Sequence, residues 1–124
     1  MKILHLCSAY IQSNLYRELI ESLDKLDVNQ TIYIPIKKKQ DCNKKILKNL
    51  NNTNFIYSKV FNDIDRLFYN HKINKILDDI KKKIDLNNIN VIHAHTLFSM
   101  GGIALKLKKE KNIDYIVAIR STDV

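Results

Sequence analysis

Between Asn90 and Gly102, in the run NVIHAHTLFSMGG, the chain brings together two histidines, a threonine, a serine and a pair of glycines. These residue types hold polar ligands. Imidazoles and hydroxyls donate and accept hydrogen bonds, and glycine lets a ligand approach backbone N–H groups. A short apolar run closed by glycine and followed by a periodic segment predicts a buried parallel strand, a loop and a helix start. In open α/β sheets ligands bind just outside the carboxyl ends of such strands. His95, Thr96 and Ser99 are therefore expected at a ligand crevice, with Gly101 and Gly102 at a helix N-terminus that can face a phosphate.

Each of these residues also has a plainer use. His93 and His95, two apart, share one face of a strand and make half of a metal site, but no Cys, Asp or Glu lies close in sequence to complete it, so no metal is expected. His93, deeper in the strand, reads as a packed core residue, whereas His95 is open between site and structure. The glycine pair lacks the full dinucleotide spacing and serves equally for close packing of helix on sheet.

The elements that must position these residues alternate. Lys2 to Cys7 reads as a first strand and Ser8 to Ser13 as the loop beyond it. A helix follows, capped by Ser13 or Asn14 and buried along Leu15, Leu19, Leu23 and Leu26, with Ile20 beside them. Gln30 to Ile36 is a second strand, halted at Pro35. Lys37 to Lys48 reads as a solvated loop or exposed helix face, Asn49 to Asn54 as a breaker, and Phe55 to Val60 as a third strand. Asn62 to Asp85 is a long amphipathic helix with a possible break near Tyr69 to His71. Ser99 caps a further helix to about Lys111, and Asp114 to Ile119 is a fifth strand. Strand and helix in alternation, with apolar strands, imply an α/β fold: a Rossmann-like parallel sheet with helices on both faces.

A chain of 124 residues makes one domain. Its two cysteines, Cys7 and Cys42, stand alone and suggest reduced thiols in the cytoplasm. No apolar run is long enough to span a bilayer, and the MKILHL start enters a strand at once, so a soluble protein without a signal peptide is expected. The net charge of +8 rests on 18 lysines and three arginines, which argues against base reading and allows weak attraction to an anionic membrane surface. The first loop lacks the glycines that wrap a pyrophosphate, so no dinucleotide cofactor is expected.

The opening MKILHL and the segment VIHAHTLFSMGGIALKLKKEKNIDYIVAIRSTDV resemble the N-terminal domain of a family 4 retaining glycosyltransferase of the GT-B fold. The resemblance covers residues 1–124 but only the leading part of such an enzyme, so it implies a domain incomplete at its C-terminal end. It implies transfer of a sugar from a UDP- or GDP-linked donor to a surface-polysaccharide or glycolipid acceptor, as in capsule or lipopolysaccharide synthesis. The acceptor side would lie here and the donor side in a missing C-terminal domain of the same chain. The resemblance makes Arg120 and Asp123 catalytic, gives acceptor binding to His95, Thr96 and Ser99, and brings donor phosphates near Ser8, Gly101 and Gly102. Arg120 and Ser121 stand where many members carry His and Gly, and Ser8, Ala9 and Tyr10 stand where members commonly carry glycines. A guanidinium cannot serve as a base but can clamp a phosphate.

Two other classes predict different features. A small flavodoxin-like binding or regulatory module calls for a phosphate- or acid-rich first loop, which Ser8 to Ser13 is not. A nucleic-acid partner calls for arginines or aromatics among its basic residues, which Lys37 to Lys48 lacks. With no helix after the last strand, Tyr115, Ile116, Val117 and Ile119 are expected on an apolar edge.

Overall fold

The computed structural model describes residues 1–60, 69–97 and 99–119. Five strands, β1 (Lys2–Leu6), β2 (Asn29–Ile36), β3 (Thr53–Lys59), β4 (Val91–Ala94) and β5 (Asp114–Val117), form one sheet in the order β3-β2-β1-β4-β5, and every pairing is parallel. Three helices are described: α1 (Tyr16–Lys25), α2 (Tyr69–Lys83) and α3 (Met100–Lys111). The fold is thus α/β and Rossmann-like, as the alternation of elements requires. A flavodoxin-like order would seat β3 beside β1. Here β2 and β4 flank β1 instead.

Strand alternation sends successive side chains to opposite faces. Leu4, Leu6, Tyr33, Ile92 and Ala94 meet Ile73, Ile76 and Ile80 of α2 and Ile103, Ala104 and Leu107 of α3 in one aliphatic cluster. The opposite face carries Cys7, Ile32, Ile34 and Ile36 against Tyr10, Tyr16 and Ile20 of the first loop and α1. α1 does not cover this face as far as β5, where Ile116, paired in register with His93, is 56% exposed. Tyr115 and Val117 pack against the aliphatic cluster on the other side, so the apolar edge reduces to Ile116 and Ile119.

Three local details depart from the expected pattern. The buried stripe of α1 is Tyr16, Ile20 and Asp24, while Leu15 and Leu26 are exposed. Asp24 belongs to the stripe because it accepts from Thr53 Oγ1 (2.7 Å) and from the backbone N–H groups of Asn52 (2.9 Å) and Asn51 (3.2 Å), tying the end of α1 to the start of β3. Those bonds, Thr53 first, hold its carboxyl below the ordinary range against the opposing pull of burial. Neither Ser13 nor Asn14 caps α1. The helix starts after Leu15, whose N–H donates to Ser13 Oγ (3.1 Å). Pro35 lies inside β2, opposite Ser58, and not at its end. β1 pairs with β2 only as far as Tyr33, so no neighbour on that side asks Pro35 for an N–H.

The Lys37 to Lys48 segment contains one short 3-10 turn at Lys39–Asp41 and left-handed backbone at Asn43 and Lys45. α2 runs through His71 without a break, and residues 61–68, the start of the expected long helix, lie outside the described residues.

Candidate functional site

The sheet order reverses direction between β1 and β4, which run outward from this point to either side. Such a switch point opens a crevice at the carboxyl ends of the two strands, because the loops leaving them depart to opposite faces. Ser8 leaves β1 and Thr96 leaves β4 at this place. Ser8 Oγ and Thr96 Oγ1 stand 3.5 Å apart, and Thr96 Oγ1 and Ser99 Oγ 3.1 Å apart, so three partly buried hydroxyls line up across the two loops.

Thr96 also organises the start of α3. Its Oγ1 accepts from Met100 N–H (3.4 Å) and its carbonyl from Gly101 N–H (2.9 Å). The side chain of Ser99 makes no capping bond, so the capping expected of Ser99 is done by Thr96. A Cβ on Gly101 would meet the Thr96 carbonyl oxygen at 3.4 Å and Val117 at 3.5 Å, so this glycine sits where helix, loop and β5 pack closely. Gly102 follows it in the same turn, partly buried.

Beneath the hydroxyls lies a cluster that the sequence did not reveal. β1 and β4 pair with His5 opposite His93, which puts His5, His93 and His95 on one face. His5 and His95 are buried, and His93, expected as the core residue, is the half-buried one. His5 Nδ1 and His95 Nε2 are 2.9 Å apart, and His5 Nε2 is 2.9 Å from Oε1 of the buried Gln30. Tyr16 lies edge-on against the His95 ring with centroids 4.9 Å apart. Burial pulls the His5 imidazole down from 6.5 to about 4, the Gln30 bond opposing and His93 assisting, so His5 is neutral at physiological pH.

The three histidines each offer a ring nitrogen within 4.8 Å of the others, and β1 thereby supplies the third ligand that was missing beside His93 and His95. Their rings are arranged otherwise. His93 and His95 stack with centroids 4.0 Å apart and planes 29° from parallel. Nitrogen lone pairs lie in the ring plane, and pairs in stacked rings do not converge on one ion. The His5–His95 gap, moreover, has the length of a hydrogen bond. The arrangement is a hydrogen-bonded chain with one ring stacked on it.

A second feature lies between the first loop and the lysine-rich segment. Tyr10 Oη donates to the Lys45 carbonyl (2.8 Å) and folds the lysine-rich segment over the first loop. Burial pushes the Tyr10 phenol up to about 12, so it keeps the proton it donates. A cavity of about 240 Å³ opens there, lined by Tyr10, Ser13, Asn14, Arg17, Lys45 and Lys48. Arg17 is engaged by Glu21 (2.6 Å) and Lys45 by Asn14 (3.0 Å).

Of the residues singled out in the sequence, Ser8, Thr96, Ser99, Gly101 and His95 are brought together at one strand-end region, whereas Arg120 and Asp123 lie outside the described residues. His5, Gln30 and Tyr16 were missed. A period-two reading of Lys2 to Cys7 finds His5 on the face of Cys7, but only the pairing of β1 with β4 joins it to the other histidines. Among the described residues no helix is long and apolar enough to cross a membrane. No protein-family model matches the chain, and no curated protein matches it.

Proposed function

We propose that the chain is the acceptor-side domain of a retaining glycosyltransferase that draws on a UDP- or GDP-linked sugar and serves surface-polysaccharide or glycolipid assembly. The observation that best supports this reading is the line of hydroxyls from Ser8 through Thr96 to Ser99 at the β1/β4 switch point. Each hydroxyl both donates and accepts, which suits a polyhydroxylated ligand, and the position is the one where open α/β sheets take their ligands. The sequence resemblance of residues 1–6 and 91–124 supplies the reaction class. In this reading Arg120 stabilises charge, Asp123 and His95 hydrogen-bond sugar, and Ser8, Gly101 and Gly102 lie near the donor phosphates. A partner domain of the same protein would complete the cleft, and the lysines would give weak contact with the anionic inner face of the membrane, outside any role in nucleic-acid binding.

Titration of the ¹⁵N-labelled chain with UDP-glucose, GDP-mannose and soluble glycans tests the reading. Shifts should concentrate on the amides of Ser8, Thr96, Ser99, Gly101 and Gly102. Binding confined to other parts of the sheet, or no binding by any member of the panel, removes it. The chain alone is expected to transfer no radiolabelled sugar, because holding donor and acceptor together supplies much of such catalysis. Turnover at a rate ordinary for enzymes would overturn the two-domain form of the proposal.

A further inference from the structure

We infer that the buried histidines are the far end of a directed hydrogen-bond chain that runs from Asp24 through Thr53, Gln30 and His5 to His95. The chain holds His95 as its Nε2–H tautomer, with Nδ1 as its accepting atom. Gln30 and His5 are then positioning residues for His95.

The direction follows from groups that act in one sense only. The Asp24 carboxylate accepts, so the single hydroxyl proton of Thr53 goes to Asp24 Oδ2, 2.7 Å away, and Thr53 Oγ1 can only accept from Gln30. The Ile20 carbonyl oxygen likewise only accepts. Both atoms lie 3.0 Å from Nε2 of Gln30, and two independent acceptors settle which end of the amide is its NH₂. Oε1 is therefore the end turned to His5, and His5 Nε2 must donate to it across 2.9 Å. A neutral imidazole carries one proton, so His5 Nδ1 holds a lone pair. His95 Nε2, 2.9 Å from that lone pair, must in turn donate. A His95 ring carrying a single proton then keeps its lone pair on Nδ1, and whichever group meets Nδ1 has to be a donor.

The chain crosses the face of the sheet beneath α1, from the end of that helix to the carboxyl end of β4. All of its bonds point toward one carboxylate, so each polarises the next and electron density is pushed toward His95. Nδ1 suits a hydroxyl or an N–H group, and it does not suit a phosphate or carboxylate oxygen. Resting on the glycosyltransferase reading, this makes His95 unsuited to the donor phosphate, which is left to other groups. A metal ion on the cluster would require the opposite arrangement, because the proton between His5 and His95 would have to leave.

Long-range ¹H–¹⁵N spectra of the ¹⁵N-histidine-labelled full chain at neutral pH read the tautomers directly, with His71→Gln and His93→Gln variants for assignment. His5 and His95 should both show a protonated Nε2 and a bare Nδ1, and equimolar zinc should leave those signals in place. His95 with a protonated Nδ1, an averaged mixture of tautomers, or loss of its Nε2 proton to zinc would each overturn the inference. In Gln30→Leu the two rings should relax to a mixture, and unchanged spectra there would show that Gln30 sets nothing. If that variant does not fold, the parent spectrum decides alone. No sugar is needed, so a failure here leaves the glycosyltransferase reading standing, and a failed sugar titration leaves the tautomers standing.

Discussion

The two faces of the sheet are built on different principles. Toward α2 and α3 the strands send Leu4, Leu6, Ile92 and Ala94 into a mostly aliphatic layer that also takes in Tyr33. Its hydroxyl donates to Asp79 (2.6 Å), which also accepts from Ser58 and pairs with Lys83 (3.3 Å) at the rim. Toward α1 the strands, one residue out of phase, carry the apolar cluster of Ile32, Ile34 and Ile36 and, with it, the polar side chains His5, Gln30, His93 and His95. The first layer is stabilised by area, which tolerates imprecise geometry. The second must satisfy each donor and acceptor, because an unmade bond inside it costs the full desolvation of the group. Both faces therefore hold the fold by buried area, and the one toward α1 also specifies the geometry of the strand ends.

The largest expected effect lies on the aliphatic face. Ile92→Ala, at a site with no exposure, should cost about 2–5 kcal/mol in urea unfolding, the range for deleting buried aliphatic carbons. A loss under about 1 kcal/mol would mean that this face is not a main support.

The polar face should announce itself through pH. His5 titrates at about 4 folded against 6.5 ordinarily, so between these values the unfolded chain binds the extra proton and stability rises with pH. The contribution is complete above 6.5 and lost as pH falls to 4, about 3 kcal/mol in all at ~1.4 kcal/mol per unit. Asp24, Asp79 and Asp114, all held below the ordinary carboxylate range, lose their bonds only at lower pH and do not fill this window. Urea midpoints across pH 4 to 7 should slope in the parent and flatten in His5→Leu. Equal slopes would detach the window from His5.

A smaller loss is expected from Gln30→Leu, which strands the His5 donor and the Ile20 carbonyl at roughly 1–3 kcal/mol. An unchanged midpoint would mean that water replaces the amide. Smallest of all, Gly101→Ala should stay within about 1 kcal/mol of the parent, since a Cβ finds ordinary contact distances and gains helix propensity. Comparing its melting curve with its nucleotide-sugar titration separates packing from ligand approach. Retained stability with lost binding assigns the glycine to the ligand.

This division explains what could be read in advance. The strands, the helices and their parallel arrangement were legible because aliphatic periodicity of two and of 3.6 encodes them directly. α1 was misread by one position. Its leucines suggested a stripe through Leu15 and Leu26, whereas the buried line passes through Asp24, a charged residue that only its bonds to Asn51, Asn52 and Thr53 make admissible inside. Thr96 and Ser99 were legible because they lie in an apolar run closed by glycine, and Ser8 because it opens a small-polar loop after the first strand. His5 and Gln30 were not, because nothing local links them to His95. Their meeting depends on strand order and register, which hydropathy does not carry.

The closure of the site between the first and fourth strands has a kinetic meaning. His5 and His95 are 90 residues apart in sequence, and the loop entropy of that meeting is spent before any bond between them forms. β1, α1, β2 and β3 lie near one another along the chain and can associate without it, leaving one side of β1 open until β4 docks. No subset of the fold that lacks β4 contains the histidine chain. Loss of hydrogen-exchange protection at the β4 amides therefore entails loss of the site, and a nascent chain cannot complete the site before β4 docks.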